Sequence, residues 1–549
     1  MTRPPKTDSP ATDFAVALLG GLAALGVRDV VVSPGSRSQA LALAAAAHAR
    51  AGHLELRVRL DERSAGFLAL GLALEARRPV ALIVTSGTAV ANLHPAVLEA
   101  HHSGVPLIVI SADRPEWMRG VRASQTARQP GIFGGAVRAE FDVAAPTGDE
   151  SEHDAALALA RDAVAAASGP VHVNVAFTEP LSAALTAAPT LPELAPVRAA
   201  DAAEPLRLHP EPGTVVVAGS RAGARAEEVA RELGAPLLAE VASGARFGPH
   251  LVTAYRTLLD EPGFGDEIRR VVAFGHPTLS RQVPALVQRE GVQTVVVRSP
   301  GVDDWNPGHR VAAFADAVEV EGDPARHRAW VGRWVSASRA FATSDDIAPA
   351  VGAPSRERAA TELAAVRAPV TRRALAEAVW RATWPHDRLV LGASRLIRDL
   401  DGIVTGKKIT VHSNRGLAGI DGTVSTAVGV ALASQGDDQA RPGTTRVLLG
   451  DLTLLHEAGG LLFGEGEVRP RIQVVVGDDG GGTIFDGLEV AATAGADFAR
   501  VLTTAQRVDL ESLARAYGWH YVRVDTRGAL DQALTATTEP TIVHVPIDR

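Results

Sequence analysis

Short apolar runs alternate with longer helix-like stretches along most of the chain. In the first third, Phe14–Leu25 is an Ala/Leu-rich helix pattern, Asp29–Ser33 a short buried strand and Gln39–Ala51 a second helix. Strands are predicted at Leu54–Leu60, Val80–Thr85, Pro106–Ser111 and Val171–Val175, with helices between them. That βαβ rhythm implies a parallel sheet covered on both faces. A Pro/Ala-rich passage at 181–212 reads as a linker laid over a surface. A second α/β unit follows, with strands at Thr214–Ala218, Val271–Phe274 and Thr294–Val297 and a helix at Ala224–Leu233. A further Ala/Pro/Ser/charged connector spans 341–368. Beyond it, strands are predicted at Arg388–Leu391, Ile409–His412, Arg446–Leu449, Ile472–Val476, His520–Arg523 and Thr541–Val545. The expected fold class is α/β, with three doubly wound parallel-sheet domains at 1–185, 213–345 and 370–549, joined by linkers at 186–212 and 346–369. The third unit ends in "EPTIVHVPID" (Glu539–Asp548), which echoes "GPVHVNVAF" (Gly169–Phe177) at the end of the first. Duplicated domains and two unrelated buried strands explain that echo about equally well.

Composition narrows the class. The 549 residues are 46% hydrophobic and 21% charged, as in ordinary globular proteins. A formal net charge of −8 supplies no basic field for nucleic acid or an anionic membrane. Lysine occurs only at Lys6, Lys407 and Lys408, so nearly all basic residues are arginine. Coding bias accounts for most of these, while those in Gly/Ser loops suit bidentate carboxylate recognition. There is no cysteine, which excludes thiolate catalysis, disulfides and cysteine-based metal sites. No secretory leader is evident, and apolar runs break before the ~18 residues that a spanning helix needs. A cytoplasmic protein is expected, with no nucleic-acid or membrane partner.

Chemistry concentrates at predicted strand ends. "TRVLLGDLT" (Thr445–Thr453) carries Gly450, Asp451, Leu452 and Thr453. About 27 residues later, "IQVVVGDDGGGTIF" (Ile472–Phe485) carries Asp478, Gly480, Gly481, Ile484 and Phe485. In a parallel sheet strand ends share one edge, where ligands bind. Two carboxylates there, one leading into a Gly-rich turn, can hold a hard divalent cation through oxygen. Glu62 in "LDERSAGFLALGLA" (Leu60–Ala73) stands where a strand gives way to an apolar helix. It is either a first-turn acid favoured by the helix dipole or a proton-relay carboxylate.

Three further loops collect polar groups: "VVSPGSRSQAL" (Val31–Leu41) with Ser36 and Arg37, "TSGTAVAN" (Thr85–Asn92), and "SADRPEWMRGVRASQTARQPGIF" (Ser111–Phe133) with Arg114, Arg119, Arg122, Ser124, Gln125 and Arg128. Any one could be helix capping; three on one sheet edge suggest an anion-lined cleft. The third unit adds Ser394 and Arg398 in "LGASRLIRDL" (Leu391–Leu400), and Ser413 and Arg415 in "VHSNRGLAGIDGTVSTAVG" (Val411–Gly429). The middle unit contributes Arg281 in "GHPTLSRQV" (Gly275–Val283). Its "VVVAGSRAG" (Val215–Gly223) lacks the full dinucleotide pattern.

The motifs SPGSR (Ser33–Arg37), DER (Asp61–Arg63), TSGTA (Thr85–Ala89), ADRP (Ala112–Pro115), SQTARQ (Ser124–Gln129), SNRG…GIDG (Ser413–Gly422) and GDL (Gly450–Leu452) with GGGTIF (Gly480–Phe485) run through all three units. Together they resemble the 2-succinyl-5-enolpyruvyl-6-hydroxy-3-cyclohexene-1-carboxylate synthase family, thiamine-diphosphate enzymes of menaquinone biosynthesis. The resemblance implies a thiamine-diphosphate-binding fold and a carboligase. Such an enzyme decarboxylates 2-oxoglutarate and adds the remaining carbons to isochorismate in a Stetter-like 1,4-addition. It also implies roles. Glu62 would face N1′ of the aminopyrimidine. Asp451, Asp478 and the Gly480 carbonyl would hold Mg2+ (or Mn2+) on the diphosphate. Gly450, Leu452, Thr453, Gly481 and Ser413 would adjoin the coenzyme, with Ile484 and Phe485 flanking it. Ser36, Arg37, Arg114, Ser124, Gln125, Arg281, Ser394, Arg398 and Arg415 would line the substrate cleft. A homodimer or homotetramer follows, because in this family the glutamate and the cation site come from different chains. Three residues depart from the family pattern: Asp478 and Ser124 stand where Asn is common, and Ser280 where Lys is frequent. Another thiamine-dependent 2-oxoacid decarboxylase or carboligase, or a non-catalytic anion-binding relative, are the alternatives.

Overall fold

A computed structural model of the chain describes residues 6–197, 203–299, 302–341, 355–436, 443–535 and 537–549. The first sheet contains β1 (Asp29–Val32), β2 (Glu55–Val58), β3 (Val80–Val84), β4 (Leu107–Asp113), β5 (Ala139–Val143) and β6 (Val171–Ala176), in the order β2-β1-β3-β4-β6-β5. The second unit adds β7 (Leu206–Leu208), β8 (Thr214–Ala218), β9 (Leu237–Ala239), β10 (Arg270–Phe274), β11 (Gln293–Val297), β12 (Ala313–Ala315) and β13 (Val318–Val320). Its main sheet runs β12-β11-β10-β8-β9, and β7 pairs with β13 apart from it. The third sheet holds β14 (Arg388–Leu391), β15 (Thr410–His412), β16 (Thr445–Gly450), β17 (Ile472–Asp478), β18 (His520–Arg523) and β19 (Thr541–Pro546), in the order β15-β14-β16-β17-β19-β18. Every pairing within these sheets is parallel. The first and third sheets share one strand order, counted from the first strand of each. The shared order favours the duplicated-domain reading of the two Pro-led terminal strands.

Strands buried on both faces show as unbroken apolar runs: β3 and β4 are buried at every position. Alternation is weaker elsewhere. The edge strand β5, "AEFDV", alternates half-buried and exposed residues and was not anticipated; neither were the three-residue strands β7, β9, β12 and β13. Within the span read as the first linker, β7 pairs with β13 across Leu206–Val318 and Leu208–Val320. Within the second, Ser355–Arg367 is helical, while 346–354 lies outside the described residues.

The first and third units share one of their core layers. The Glu62–Ala76 helix crosses the Thr423–Ser434 helix, and Phe67, Leu68 and Leu72 pack with Val424, Ala427, Val428 and Ala431. The middle unit docks on the third through Val241, Ala242 and Leu279, which join the cluster around Leu375, Leu391 and Leu396. Polar ties reinforce that seam. The buried Asp401 carboxylate accepts from the Val241 N–H at 2.7 Å and the Tyr255 hydroxyl at 2.7 Å, and pairs with Arg256 at 2.5 Å. No helix among the described residues is long and apolar enough to cross a membrane.

Candidate active site

Four adjacent strands of the third sheet end at one edge. Ser413 follows β15, Ser394 follows β14, Asp451 follows β16, and Asp478 closes β17. The register pairs Gly450 with Gly477, which brings Asp451 and Asp478 level on neighbouring strands. The chain then turns through Gly480 and Gly481, whose φ angles of 75° and 120° favour glycine. Asp451 is 5% exposed. Burial raises its pKa to about 6; the Leu452 and Gly481 N–H groups pull it down, and the Asp478 and Asp479 charges push it further up. Asp479 is already committed, to Arg372 at 2.9 Å and to the Thr483 hydroxyl. Asp478 is held low, chiefly by a hydrogen bond from His544. A buried carboxylate that resists ionisation beside a second carboxylate, with backbone oxygens of a glycine turn close by, fits a hard divalent cation. Asp451, Asp478 and the Gly480 carbonyl are the oxygens that could hold it. Leu452 and Thr453 lie in the helix Asp451–His456, while Ile484 and Phe485 sit half-buried in the 3-10 turn Thr483–Gly487.

The first sheet presents its own edge. Arg37, after β1, donates to the Phe177 carbonyl at 3.0 Å. Arg114, after β4, donates to the Ser86 hydroxyl and to the Gln125 carbonyl at 3.2 Å. Burial, followed by the positive charge of Arg37, lowers the Arg114 pKa, so the two guanidinium groups stand close enough to repel. Gln125 anchors this loop by donating to the Ser86 carbonyl at 3.3 Å. Ser36 and Ser124 are exposed beside it. Two neighbouring guanidiniums held by neutral oxygens are what a dicarboxylate or tricarboxylate substrate needs. Arg119 is different: it pairs with Asp113 at 2.9 Å and Asp142 at 2.7 Å, so its charge is spent internally.

Glu62 opens the helix after β2, but Asp61 is the cap, accepting from the Arg63 N–H at 2.8 Å and the Ser64 N–H at 3.4 Å. Glu62 stands in the first turn, as the helix-dipole reading expects, beside that cap. Among the described residues, the Glu62 carboxylate accepts one long hydrogen bond, 3.4 Å, from the Asn92 amide.

Other predicted cleft residues are spread out. Arg415 is buried and ties the third unit to the second, donating to the Thr278 hydroxyl at 2.8 Å and its carbonyl at 3.1 Å. In this structure its guanidinium serves as an interdomain strut, with Glu240 nearby. Arg398 is exposed on the Arg395–Ile403 helix, which Ser394 caps through the Leu396 N–H. Arg281 is exposed at the start of the Gln282–Gln288 helix. Ser413 donates to the Leu391 carbonyl at 2.6 Å. Sequence reading missed Glu457, a buried carboxylate that accepts from the Val424 and Ser425 N–H groups at 2.8 and 3.0 Å and so caps the Thr423–Ser434 helix. Its pKa is raised to about 7, mainly by burial. No motif marks it, because capping by a residue 32 and 33 positions away leaves no local spacing. His544 was missed for the same reason.

Comparisons with known proteins bear on the fold and the family. Residues 12–132 match the thiamine pyrophosphate enzyme, N-terminal TPP binding domain. The crystal structure of benzoylformate decarboxylase from Polynucleobacter necessarius superposes over 98% of each chain, with TM-score 0.65 and 17% identity, a likeness of fold. Fold and strand-end site together define a thiamine-diphosphate enzyme. Full-length relatives narrow the class. The chain is 57% identical to the 2-succinyl-5-enolpyruvyl-6-hydroxy-3-cyclohexene-1-carboxylate synthase of Leifsonia xyli subsp. xyli, covering 100% of this chain and 98% of that one. It is 55% identical to the same enzyme of Clavibacter michiganensis subsp. michiganensis (99% and 97% covered) and 38% to that of Rhodococcus jostii (97% and 95%). The chain belongs to the 2-succinyl-5-enolpyruvyl-6-hydroxy-3-cyclohexene-1-carboxylate synthase family.

Proposed function

We propose that the chain joins 2-oxoglutarate, with loss of CO2, to isochorismate, giving 2-succinyl-5-enolpyruvyl-6-hydroxy-3-cyclohexene-1-carboxylate. The observation that carries the reading is the Gly450–Gly477 register, which aligns Asp451 and Asp478 beside a glycine turn. Bound thiamine diphosphate supplies the electron sink that makes decarboxylation of a 2-oxoacid feasible. The protein supplies the rest. Asp451, Asp478 and the Gly480 carbonyl would hold Mg2+ or Mn2+, whose charge would offset that of the diphosphate. The Glu62 carboxylate holds or releases a proton at the aminopyrimidine N1′. Arg37 and Arg114, with Ser36, Ser124 and Gln125, orient carboxylates of the substrates; Ser394, Arg398, Arg281 and Arg415 are assigned to the same cleft by the family resemblance alone.

The active assembly is a homodimer or a dimer of dimers, with each site built by two chains. Exposed apolar residues around the relevant loops support this: Leu60 is 76% exposed, Trp117 72% and Val121 65%. Such surface near a polar cleft favours cover by a second copy. The test is CO2 release from 2-oxoglutarate, with and without isochorismate, thiamine diphosphate and Mg2+. Turnover that needs both substrates' carbons in the product supports the reading. Turnover of pyruvate in preference to 2-oxoglutarate would replace it with another carboligase.

A further inference from the structure

Behind the arginine edge of the first sheet lies a buried polar network with one amide at its centre. Gln129, which closes the SQTARQ motif, is fully buried. Its Oε1 accepts the Gly87 N–H at 3.0 Å, in the turn after β3. Its Nε2 donates to the Ala112 carbonyl of β4 at 3.2 Å and to Asn174 Oδ1 of β6 at 2.8 Å. The amide cannot be turned round, because the Gly87 N–H only donates and the Ala112 carbonyl only accepts. Asn174 cannot turn either: its Nδ2 donates to the carboxylates of Asp113 at 3.0 Å and Asp142 at 2.8 Å. Beyond it, Ser111 Oγ lies 2.8 Å from His172 Nε2, and His172 Nδ1 lies 2.8 Å from Glu140. That line has the partners of a nucleophile relay, but Ser111 and His172 are fully buried, so no substrate reaches the hydroxyl. The network is a foundation for the loops above it and not a second site.

We infer that Gln129 is a positioning residue for Arg114: it fixes the Ser86–Gly87 turn on which the guanidinium rests. The inference rests on the reading of Arg114 as a substrate-binding cation. Arg114 donates to the Ser86 hydroxyl and to the Gln125 carbonyl, and Ser86 Oγ donates to that same carbonyl at 2.9 Å. The direction of the guanidinium therefore follows the turn. Turn and loop already touch, since a Cβ on Gly87 would lie 3.2 Å from Gln125 Cγ. Contact alone would let them slide; the Gln129 amide adds directional bonds that tie the turn after β3 to β4, which carries Arg114, and to β6. A cation held in place before its substrate arrives loses less freedom on binding.

The experiment uses the full chain with thiamine diphosphate and Mg2+, in steady-state kinetics with 2-oxoglutarate and isochorismate varied in turn. Gln129→Met keeps the length of the side chain and loses every hydrogen bond. It should raise by about tenfold the KM of whichever substrate Arg114→Gln affects, and change kcat by less than about threefold, the split expected when ground-state and transition-state binding weaken together. In an Arg114→Gln background the same change should raise that KM by less than about threefold, because the cation it positions is gone. Gln129→Glu keeps the acceptor for Gly87. Protonated, it also donates; ionised, it faces the Ala112 and Asn174 oxygens with no hydrogen to offer. Its KM relative to wild type should therefore climb as pH rises from about 6 to about 9. Circular dichroism and the thermal midpoint check that each variant is folded; if Gln129→Met is not, the Glu variant carries the test. Unchanged KM in a folded Gln129→Met protein overturns the inference. So does a flat KM ratio for Gln129→Glu, or an equal rise in both backgrounds, because the amide would then act through the fold at large. If Arg114→Gln leaves both KM values unchanged, the arginine edge itself is misassigned; if it raises one while the Gln129 variants do not, only the role of Gln129 falls.

Discussion

Gly71 and Gly429 meet where the first unit's Glu62–Ala76 helix crosses the third unit's Thr423–Ser434 helix. A Cβ on Gly429 would lie 2.9 Å from the Gly71 Cα and 2.3 Å from the Leu68 carbonyl oxygen, and a Cβ on Gly71 would lie 2.0 Å from the Thr426 carbonyl oxygen. The neighbours are backbone, so neither contact can be relieved by a rotamer change. Gly71→Ala is expected to destabilise the fold by about 1–3 kcal/mol or more, the usual cost of overpacking. Urea unfolding of the purified variant measures this. Wild-type stability in Gly71→Ala would mean that the crossing is looser than described.

The same helix begins at Glu62, so the architecture around it bears on how chains cooperate. Glu62→Gln is expected to slow CO2 release by about a hundredfold or more, as loss of a general acid–base group does. Asp451→Ala is expected to abolish cofactor-dependent turnover. A hybrid of the two inactive chains distinguishes site architectures. If each site takes Glu62 from one chain and Asp451 from the other, mixing restores activity, because one of the two sites in a hybrid dimer is intact. Mixing that restores nothing, with heterodimers present by native mass spectrometry, would place both residues in one chain's site.

Arg37 and Arg114 are expected to act on substrate binding. Replacing either with Gln removes a charge-assisted contact of about 1.5–3 kcal/mol, which corresponds to a rise in KM of roughly tenfold to a hundredfold. Steady-state kinetics with each substrate varied in turn will show which one each arginine holds. Arg119→Gln should instead affect stability, since its partners are Asp113 and Asp142. Equal kinetic defects at all three positions would refute this division.

Glu240 is expected to make the stability of the chain pH-dependent. One oxygen accepts from the Thr278 and Leu279 N–H groups at 2.8 and 2.7 Å, while Oε2 is buried without a hydrogen-bond partner among the described residues. Burial, then the Asp401 charge, raises its pKa to about 8. The folded state therefore keeps a proton that the unfolded state releases near its ordinary value, about 4.3. Stability falls as pH rises between those values and levels off above the higher one. Glu240→Gln keeps the acceptor and carries no charge. It is expected to match wild type near pH 5 and to exceed it by a few kcal/mol at pH 8.5, on the order set by linkage. Urea midpoints measured across that range check it; parallel curves would remove Glu240 as the source.

Much of the sheet architecture was legible because buried parallel strands leave continuous apolar runs. "VALIV" (Val80–Val84) and "RLVL" (Arg388–Leu391) are found within a residue of their predicted limits. Short edge strands such as "LLA" (Leu237–Ala239) carry too few residues for any periodicity to register. At the proposed cation edge, Asp451 and Asp478 were visible because they sit directly at strand ends, where chain order and spatial order coincide. Arg415 was visible as an arginine in a glycine loop, yet its destination, Thr278, lies 137 residues away. The buried carboxylates Glu240, Asp401 and Glu457 left no trace for the same reason: their partners are set by how units dock, which spacing along the chain does not encode.

The common strand order of the first and third sheets puts their helices in correspondence. The Glu62–Ala76 helix leads from the second to the third strand of its unit, and the Thr423–Ser434 helix does the same in the other. Two homologous elements thus clasp each other inside one polypeptide, an internal pseudo-dyad. Equivalent edges of the two sheets are then free to differ in what they carry. On the proposed reading, the first sheet's edge carries an acid for moving protons and the third sheet's edge carries the oxygens for a cation. Division of labour between twin halves is the legacy of that symmetry.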